Sequence, residues 1–334
     1  MLMTNEQWAQ HVGGFRVINA AIGFDNSRYC FLLEQKSDDI HRDTPPTIRL
    51  LFARTERPPE RRFFWGDFDG YEFPRLAAGK TGGEDEFIVA DMHGNVITYN
   101  NVIAMVQAEK PEIDTRWLNG ERRAPVRRLK RLNGRIHAVC LDRRALERKG
   151  ASNWVEFSGL ERPKERLDPQ VLNLDFGFAD MDAFGEADVY GVGGAGDVWH
   201  FNGKTWRRCD FPSNEWLFTV CCAGDGNVYI SGNMGSLWVG RGDKWKKVSS
   251  GNYSVSFNDS VWFAGKLWCV NDYALYSLGK RGLSTEGIPP FTQLTTRRLQ
   301  VSADGTQMIS AGNHGASLHD GKEWKVLFSG IEID

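Results

Sequence analysis

The chain has 334 residues, with 41 Lys+Arg against 43 Asp+Glu, a formal net charge of −2, and a composition 41% hydrophobic and 12% aromatic. That is enough apolar material for a sizeable core and too much for a disordered chain. The near-neutral balance argues against a nucleic-acid coat, and the lack of any apolar run of about 18 residues argues against a membrane-spanning helix.

The first residues hold Glu6 and His11 among several amides, with no basic stretch leading into an apolar one. They do not read as a secretory signal, so the cytoplasm is the expected compartment and no membrane partner is expected. Residues 4–11 are the best helix candidate, a cap within an N-terminal extension of residues 1–13. The fold proper is placed at residues 14–330. A strand at residues 15–20 or 15–22 could close a ring against the last repeat. Alternatively, Val326, Leu327 and Phe328 form the outer strand of their own repeat.

From there the chain repeats itself, the sign of an array or ring. Three copies are clear. Val189-Tyr-Gly-Val-Gly-Gly-Ala-Gly-Asp-Val-Trp leads to Trp206, Val228-Tyr-Ile-Ser-Gly-Asn-Met-Gly-Ser-Leu-Trp to Trp245, and Met308-Ile-Ser-Ala-Gly-Asn-His-Gly-Ala-Ser-Leu to Trp324. Each reads as strand, Gly-rich tight turn, strand, polar turn, then a strand bearing Trp. Weaker copies start at Tyr29, Phe87 (with Trp117 as a candidate late partner), Ala138 (ending at Trp154) and Leu267. The starts are 58 and 51 residues apart early in the chain and 39 to 41 later, the length of a four-stranded unit plus longer early loops. Turn glycines would supply positive φ, alternating β-branched and aromatic residues suit half-buried strands, and the late Trp is expected in the wedge between neighbouring units. The segments 56–62 and 161–169 read as flexible excursions.

This unit, V-Y-x-x-G-x-x-G-x-[VL]-W followed by G-x-x-W, resembles the propeller repeats of the WD40-like and BNR-like (Asp-box) superfamily over nearly the whole chain. The resemblance implies an all-β, single-domain, seven-bladed β-propeller of four-stranded antiparallel blades. The Asp-box is only echoed, in Ser302-Ala303-Asp304-Gly305 and Gly224-Asp225-Gly226, without the closing Trp. Bacterial propellers of this style are suspected of neutralising partner toxins, which implies an immunity-type role.

No catalytic constellation is selected. Seven His form no H-x-x-x-H pair, and neither a G-x-S-x-G elbow nor a Walker loop occurs. The six cysteines (Cys30, Cys140, Cys209, Cys221, Cys222 and Cys269) form no C-x-x-C pair and read as buried, reduced thiols, so neither a metal nor a cofactor is expected. A binding surface is better supported. The turns between second and third strands share one face of a propeller disc. They offer Asp91, His93, Asp142, Arg143, Arg144, Asn233, Met234, Asp272, Tyr273, Asn313 and His314, and the connection before a first strand adds Trp216.

Charge is uneven. Residues 115–149 carry 12 Lys/Arg and 3 acids, while residues 167–200 carry 7 acids and no Lys/Arg. Such segments could steer a charged partner, or pair with each other across blades. The leading expectation is a non-enzymatic, cytoplasmic protein-binding module that blocks a toxin or effector. The alternatives are a glycan-acting hydrolase or lyase at the central channel, a scaffold subunit, and nucleic-acid binding through residues 115–149, the last being disfavoured by the overall charge.

Overall fold

A computed structural model describes residues 1–37, 44–100, 106–109, 113–117, 122–123, 125–157, 159–160, 177–251 and 253–331. The expected excursion at 161–169 lies outside them. Thr4 caps the helix Asn5–His11 with a reciprocal box: its hydroxyl accepts the Gln7 N–H at 3.2 Å, and the Gln7 side chain accepts the Thr4 N–H at 3.1 Å.

After the helix the described residues are built mainly from consecutive antiparallel strands. Phe15–Gly23, Arg28–Gln35, Ile48–Arg54 and Phe63–Phe68 form the first four-stranded sheet in chain order. Four further sheets of the same plan begin at Asp180–Gly185, Leu217–Cys222, Asp259–Phe263 and Arg298–Val301. Between them lies an eight-stranded sheet. It holds two antiparallel runs, one starting at Arg75–Thr81 and one at Val126–Leu132, joined by a parallel bridge between Lys80 and Arg135. The pair Arg116–Trp117 and Arg122–Arg123 sits in the connection between the two runs. Every repeat start read from the sequence falls on the second strand of such a run: Tyr29, Phe87, Ala138, Val189, Val228, Leu267 and Met308.

Neighbouring runs pack face to face through apolar clusters. Leu32 and Phe52 meet Phe87 and Ile97, Val220 and Ile230 meet Tyr190 and Val192, and Trp268 and Val270 meet Leu299 and Met308. The late Trp residues sit in these seams as expected. Trp206 packs beside Phe157 and Phe178, Trp245 near Tyr190 and Phe211, and Trp324 against Trp268. Trp154 packs against the cluster shared by the two runs of the large sheet.

The last sheet keeps Trp324–Ser329 as its own outer strand, so the first and last sheets meet without exchanging one. Their seam buries Phe15, Phe31 and Leu33 against Ile309, Leu318 and Phe328. Gln300 accepts the Ile22 N–H at 2.6 Å, and the Asn26 amide donates to Asp304 at 2.8 Å. Residues 1–13 belong to this seam. Met3 and Val12 are buried in it, and the Leu2 N–H donates to the Leu327 carbonyl at 2.7 Å. The segment 56–62 is not a free excursion either, since the Gln7 amide reaches the Pro59 carbonyl and Arg62 reaches that of Leu2.

One expectation needs correcting. The first turn glycine of each clear repeat (Gly193, Gly232 and Gly312) is not at positive φ. A Cβ at Gly193 would run into the Gly177 carbonyl, and one at Gly312 into that of Thr296. At Gly232 it would meet the Glu215 carboxylate. These glycines let the connection entering a first strand lie against the end of the second strand, and positive φ falls on later glycines such as Gly194 and Gly235.

Candidate binding face and central channel

Antiparallel order puts the turns leaving second strands and the connections entering first strands at the same end of the molecule. Hydrogen bonds tie them together. Ala195 bridges Trp216, the Tyr253 N–H reaches the Met234 carbonyl at 3.2 Å, and the Met92 N–H reaches that of Glu72 at 3.0 Å. The sequence-selected residues therefore share one face, but they differ in availability.

Four of them, Asp91, Asp142, Arg143 and Arg144, build the turns. Asp91 is buried and accepts the N–H groups of His93 (2.9 Å), Asn95 (2.8 Å) and Glu72 (3.2 Å). Asp142 is buried and accepts Arg144 from both its backbone (3.2 Å) and Nε (2.8 Å). Arg143, at φ 66°, forks onto Asp197 at 2.7 and 2.9 Å and lies over the Trp199 ring. Asn271, in the equivalent turn, accepts the Tyr273 and Ala274 N–H groups at 2.9 and 2.8 Å. Such side chain-to-backbone bonds fix the loop and leave little for a partner.

The others are accessible to differing degrees. His93 is half-buried and meets Glu72 at 2.7 Å. Asp272 accepts the Asn258 amide at 2.8 Å and lies 3.5 Å from Arg297. Asn313 is half-buried, while Asn233 and His314 are exposed. Four large apolar side chains stand out on this face: Tyr273 (70% exposed), Phe73 (62%), Met234 (57%) and Trp216 (39%). Phe73 was not singled out from the sequence. The available signal was an aromatic between Glu72 and Pro74 in a connection entering a first strand.

Inside this ring of loops the first strands line a cavity of about 220 Å³, bordered by Arg75, Arg128, Lys130, Arg131, Asp182, Asp259 and Arg298. Here the basic and acidic segments of the sequence meet. Arg128 lies 3.2 Å from Asp180 and also pairs with Asp259, Lys130 lies 3.4 Å from Asp180, and Arg135 reaches Glu186 at 2.8 Å. The two segments thus neutralise much of each other across a seam. The carboxylates also lace neighbouring first strands, since Asp180, Asp182 and Asp259 accept the N–H groups of Val220, Cys222 and Leu299.

Burial dominates the titration behaviour in this channel. It pulls Arg128 and Lys130 down, but Asp180 and its neighbours outweigh it and both end above their ordinary values. Burial pushes the Asp182 carboxyl up despite Lys130 nearby. Burial, with Arg298, Arg127 and Arg128 close by, drops Arg75 well below the usual guanidinium range. Cys140, Cys209, Cys221 and Cys269 are buried and their thiols are pushed up by burial, as for inert core cysteines. Among the described residues no group of three or more His, Cys, Asp or Glu is placed to hold a metal ion, and no helix is long and apolar enough to cross a membrane.

Four-stranded antiparallel units packed side by side, with first strands around a channel and last strands at the rim, define a β-propeller. The solved structures agree. A structure of YCF48 bound to D1 peptide matches with a TM-score of 0.57 at 13% identity, covering 91% of each chain. The WD40 β-propeller domain of Doa1 matches with a TM-score of 0.56 at 11% identity, covering 90% of each chain. These likenesses concern the fold alone. No protein-family model matches the chain. Among curated proteins the chain is similar to the immune protein Tsi7 of Pseudomonas aeruginosa, 30% identical over 147 residues. That alignment covers 44% of this chain and 46% of Tsi7, so the chain spans about half the length of the curated relative it matches.

Proposed function

We propose that this protein is a seven-bladed, non-enzymatic propeller of the cytoplasm that binds a toxin or effector protein and neutralises it. The blade count treats the eight-stranded sheet as two blades joined edge to edge, in keeping with seven repeats and with seams between all successive runs. The observation that carries the binding role is that Phe73, Trp216, Met234 and Tyr273 are all exposed on the loop-bearing face. Large apolar side chains left in water on one face mark a contact surface, and aromatic residues make the usual anchors. His93, Asn233, Asp272, Asn313 and His314 supply the polar rim. Asp91, Asp142, Arg143 and Arg144 contribute by fixing the loops. The partial similarity to an immune protein supports neutralisation over scaffolding.

The test is capture of partners from the native host with tagged protein, run beside a Trp216→Ala/Met234→Ala/Tyr273→Ala variant. A stoichiometric protein should co-elute with the parent and bind the variant about 100-fold more weakly, as loss of central anchors produces. Thermal unfolding of the variant should be unchanged. Equal retention by both would remove the face from the reading. If the retained partner is an effector, its activity should fall in stoichiometric complex, and a partner with unaltered activity would overturn the immunity role.

A further inference from the structure

The charges inside the channel do not balance, and the imbalance is concentrated at one end. Arg75, Arg127, Arg128 and Arg298 stand at or near the starts of their first strands, which places them at the mouth on the loop-bearing face. Lys130 and Arg131 lie deeper. Five of these six cations line the channel, with Arg127 at its rim, and against them stand Asp182 and Asp259 in the lining and Asp180 behind Arg128 and Lys130.

The carboxylates are already engaged. Asp180 holds Arg128 and Lys130, and Asp259 holds Arg128, with Arg298 further off at 3.6 Å. Among the described residues Arg75 has only main-chain acceptors, the carbonyls of Arg127 and Pro74, at 3.0 and 3.1 Å. The Arg127 side chain, exposed at the rim, makes no hydrogen bond or ion pair among the described residues. Arg131 donates to the Val301 carbonyl at 2.6 Å, but its Nη1 is buried without a partner.

A guanidinium does not shed its proton to relieve such crowding, so like charges brought together in a partly buried cavity call for a counter-charge. Burial and the neighbouring arginines depress Arg75, and burial lowers Arg298 to about 10, with Asp259 only partly opposing either shift. The cavity, at about 220 Å³, has room for about seven waters at a liquid share of about 30 Å³ each, or for a small anion in their place.

We infer that the channel mouth is an oxyanion site in which Arg75, Arg127 and Arg298 hold a phosphate or carboxylate group. Guanidinium forks match the paired oxygens of such groups, which a halide does not offer. Arg128 and Lys130 are tied down by Asp180 and serve as the positive floor. The inference rests on the channel interior and stands whether or not a protein docks on the surrounding loops. The group can arrive as a free ion or on an acidic segment inserted into the mouth, and the probes below separate these sources.

The purified full chain is titrated with inorganic phosphate and, separately, with a hexaglutamate peptide, against chloride at matched ionic strength. Binding is followed by calorimetry and by thermal unfolding. At least one probe should bind and raise Tm, and Arg75→Gln/Arg298→Gln should weaken that binding at least tenfold. Should the double variant fail to fold, Arg127→Gln serves, since its side chain supports no bond in the described structure. Phosphate alone binding identifies a free ion, and hexaglutamate alone identifies an acidic segment. No response beyond chloride, or a response the variants leave intact, overturns the site.

Discussion

At the residue scale, buried ionisable groups set how the protein responds to acid. His137 lies on a second strand, buried, with Nδ1 3.2 Å from the Arg135 carbonyl and its ring against Phe157. Burial pushes it down to about 4, with Glu147 only partly opposing. A proton therefore binds the unfolded chain more readily than the folded one. Stability is fully present above the unfolded value of 6.5 and is lost as pH falls towards 4, by up to about 3 kcal/mol. Glu86 acts in the next window down. Burial pushes its carboxyl up, but the Arg148 fork at 2.7 and 2.8 Å and the Thr98 hydroxyl hold it below its ordinary value. Its contribution is present above the unfolded carboxylate value and disappears as pH drops through the folded one. Urea midpoints measured from pH 7 to pH 4 should fall in the parent and stay flatter in His137→Phe. Parallel slopes for the two would show that His137 does not couple to folding. None of this was legible in the sequence, where His137 is one of seven scattered histidines and only burial gives it a role.

The strands themselves were the most legible elements. A pattern ending in glycine marks the second strand of three runs, at Gly193, Gly232 and Gly312, because that strand is covered on both sides and stops where the connection entering a first strand crosses its end. The reason for the glycine was misread, since a close approach and a positive φ leave the same letter. Replacing Gly312 with Ala should cost about 2–3 kcal/mol, because the clash is with the Thr296 main chain and has no side chain to deflect. Gly226→Ala provides the contrast: nothing lies near its Cβ, and only its φ of 83° is strained. Denaturant titration of both variants distinguishes the causes, and an indifferent Gly312→Ala would refute the close-approach account. The channel strand Val126–Leu132 was the least legible. Its run of Arg and Lys reads as a solvated segment, and a register shift between Val126 and Arg128 breaks the alternation that would have revealed a strand. The candidate face was half legible. Turn position put Met234 and Tyr273 on one side, where both are exposed, but nothing in the letters says that Asp91 and Asp142 turn inward to hold their own loops.

For the whole molecule, the vulnerable place is the seam between the first and last sheets. It is held by side chains, by the Gln300–Ile22 bond and by the N-terminal residues laid across it. Met3 and Val12 are buried there, each of a kind that contributes about 1.5–3 kcal/mol on burial. A chain starting at residue 14 should therefore be about 3–5 kcal/mol less stable to urea. Its amide exchange should quicken first in Phe15–Gly23 and Trp324–Ser329. Unchanged stability would mean that the extension merely rests on the seam.

Because no strand is lent from one end of the chain to the other, every four-stranded run is contiguous in sequence, and the seam that closes the ring is packed from apolar side chains like the rest. Leu2 already touches Leu327, so the two termini are neighbours in space. What the gene must encode is then a cyclic order of sheets, and the point at which that circle is cut is incidental. Such a chain is open to circular permutation at its exposed connections, and to growth or loss of a whole repeat without redesign of the rest.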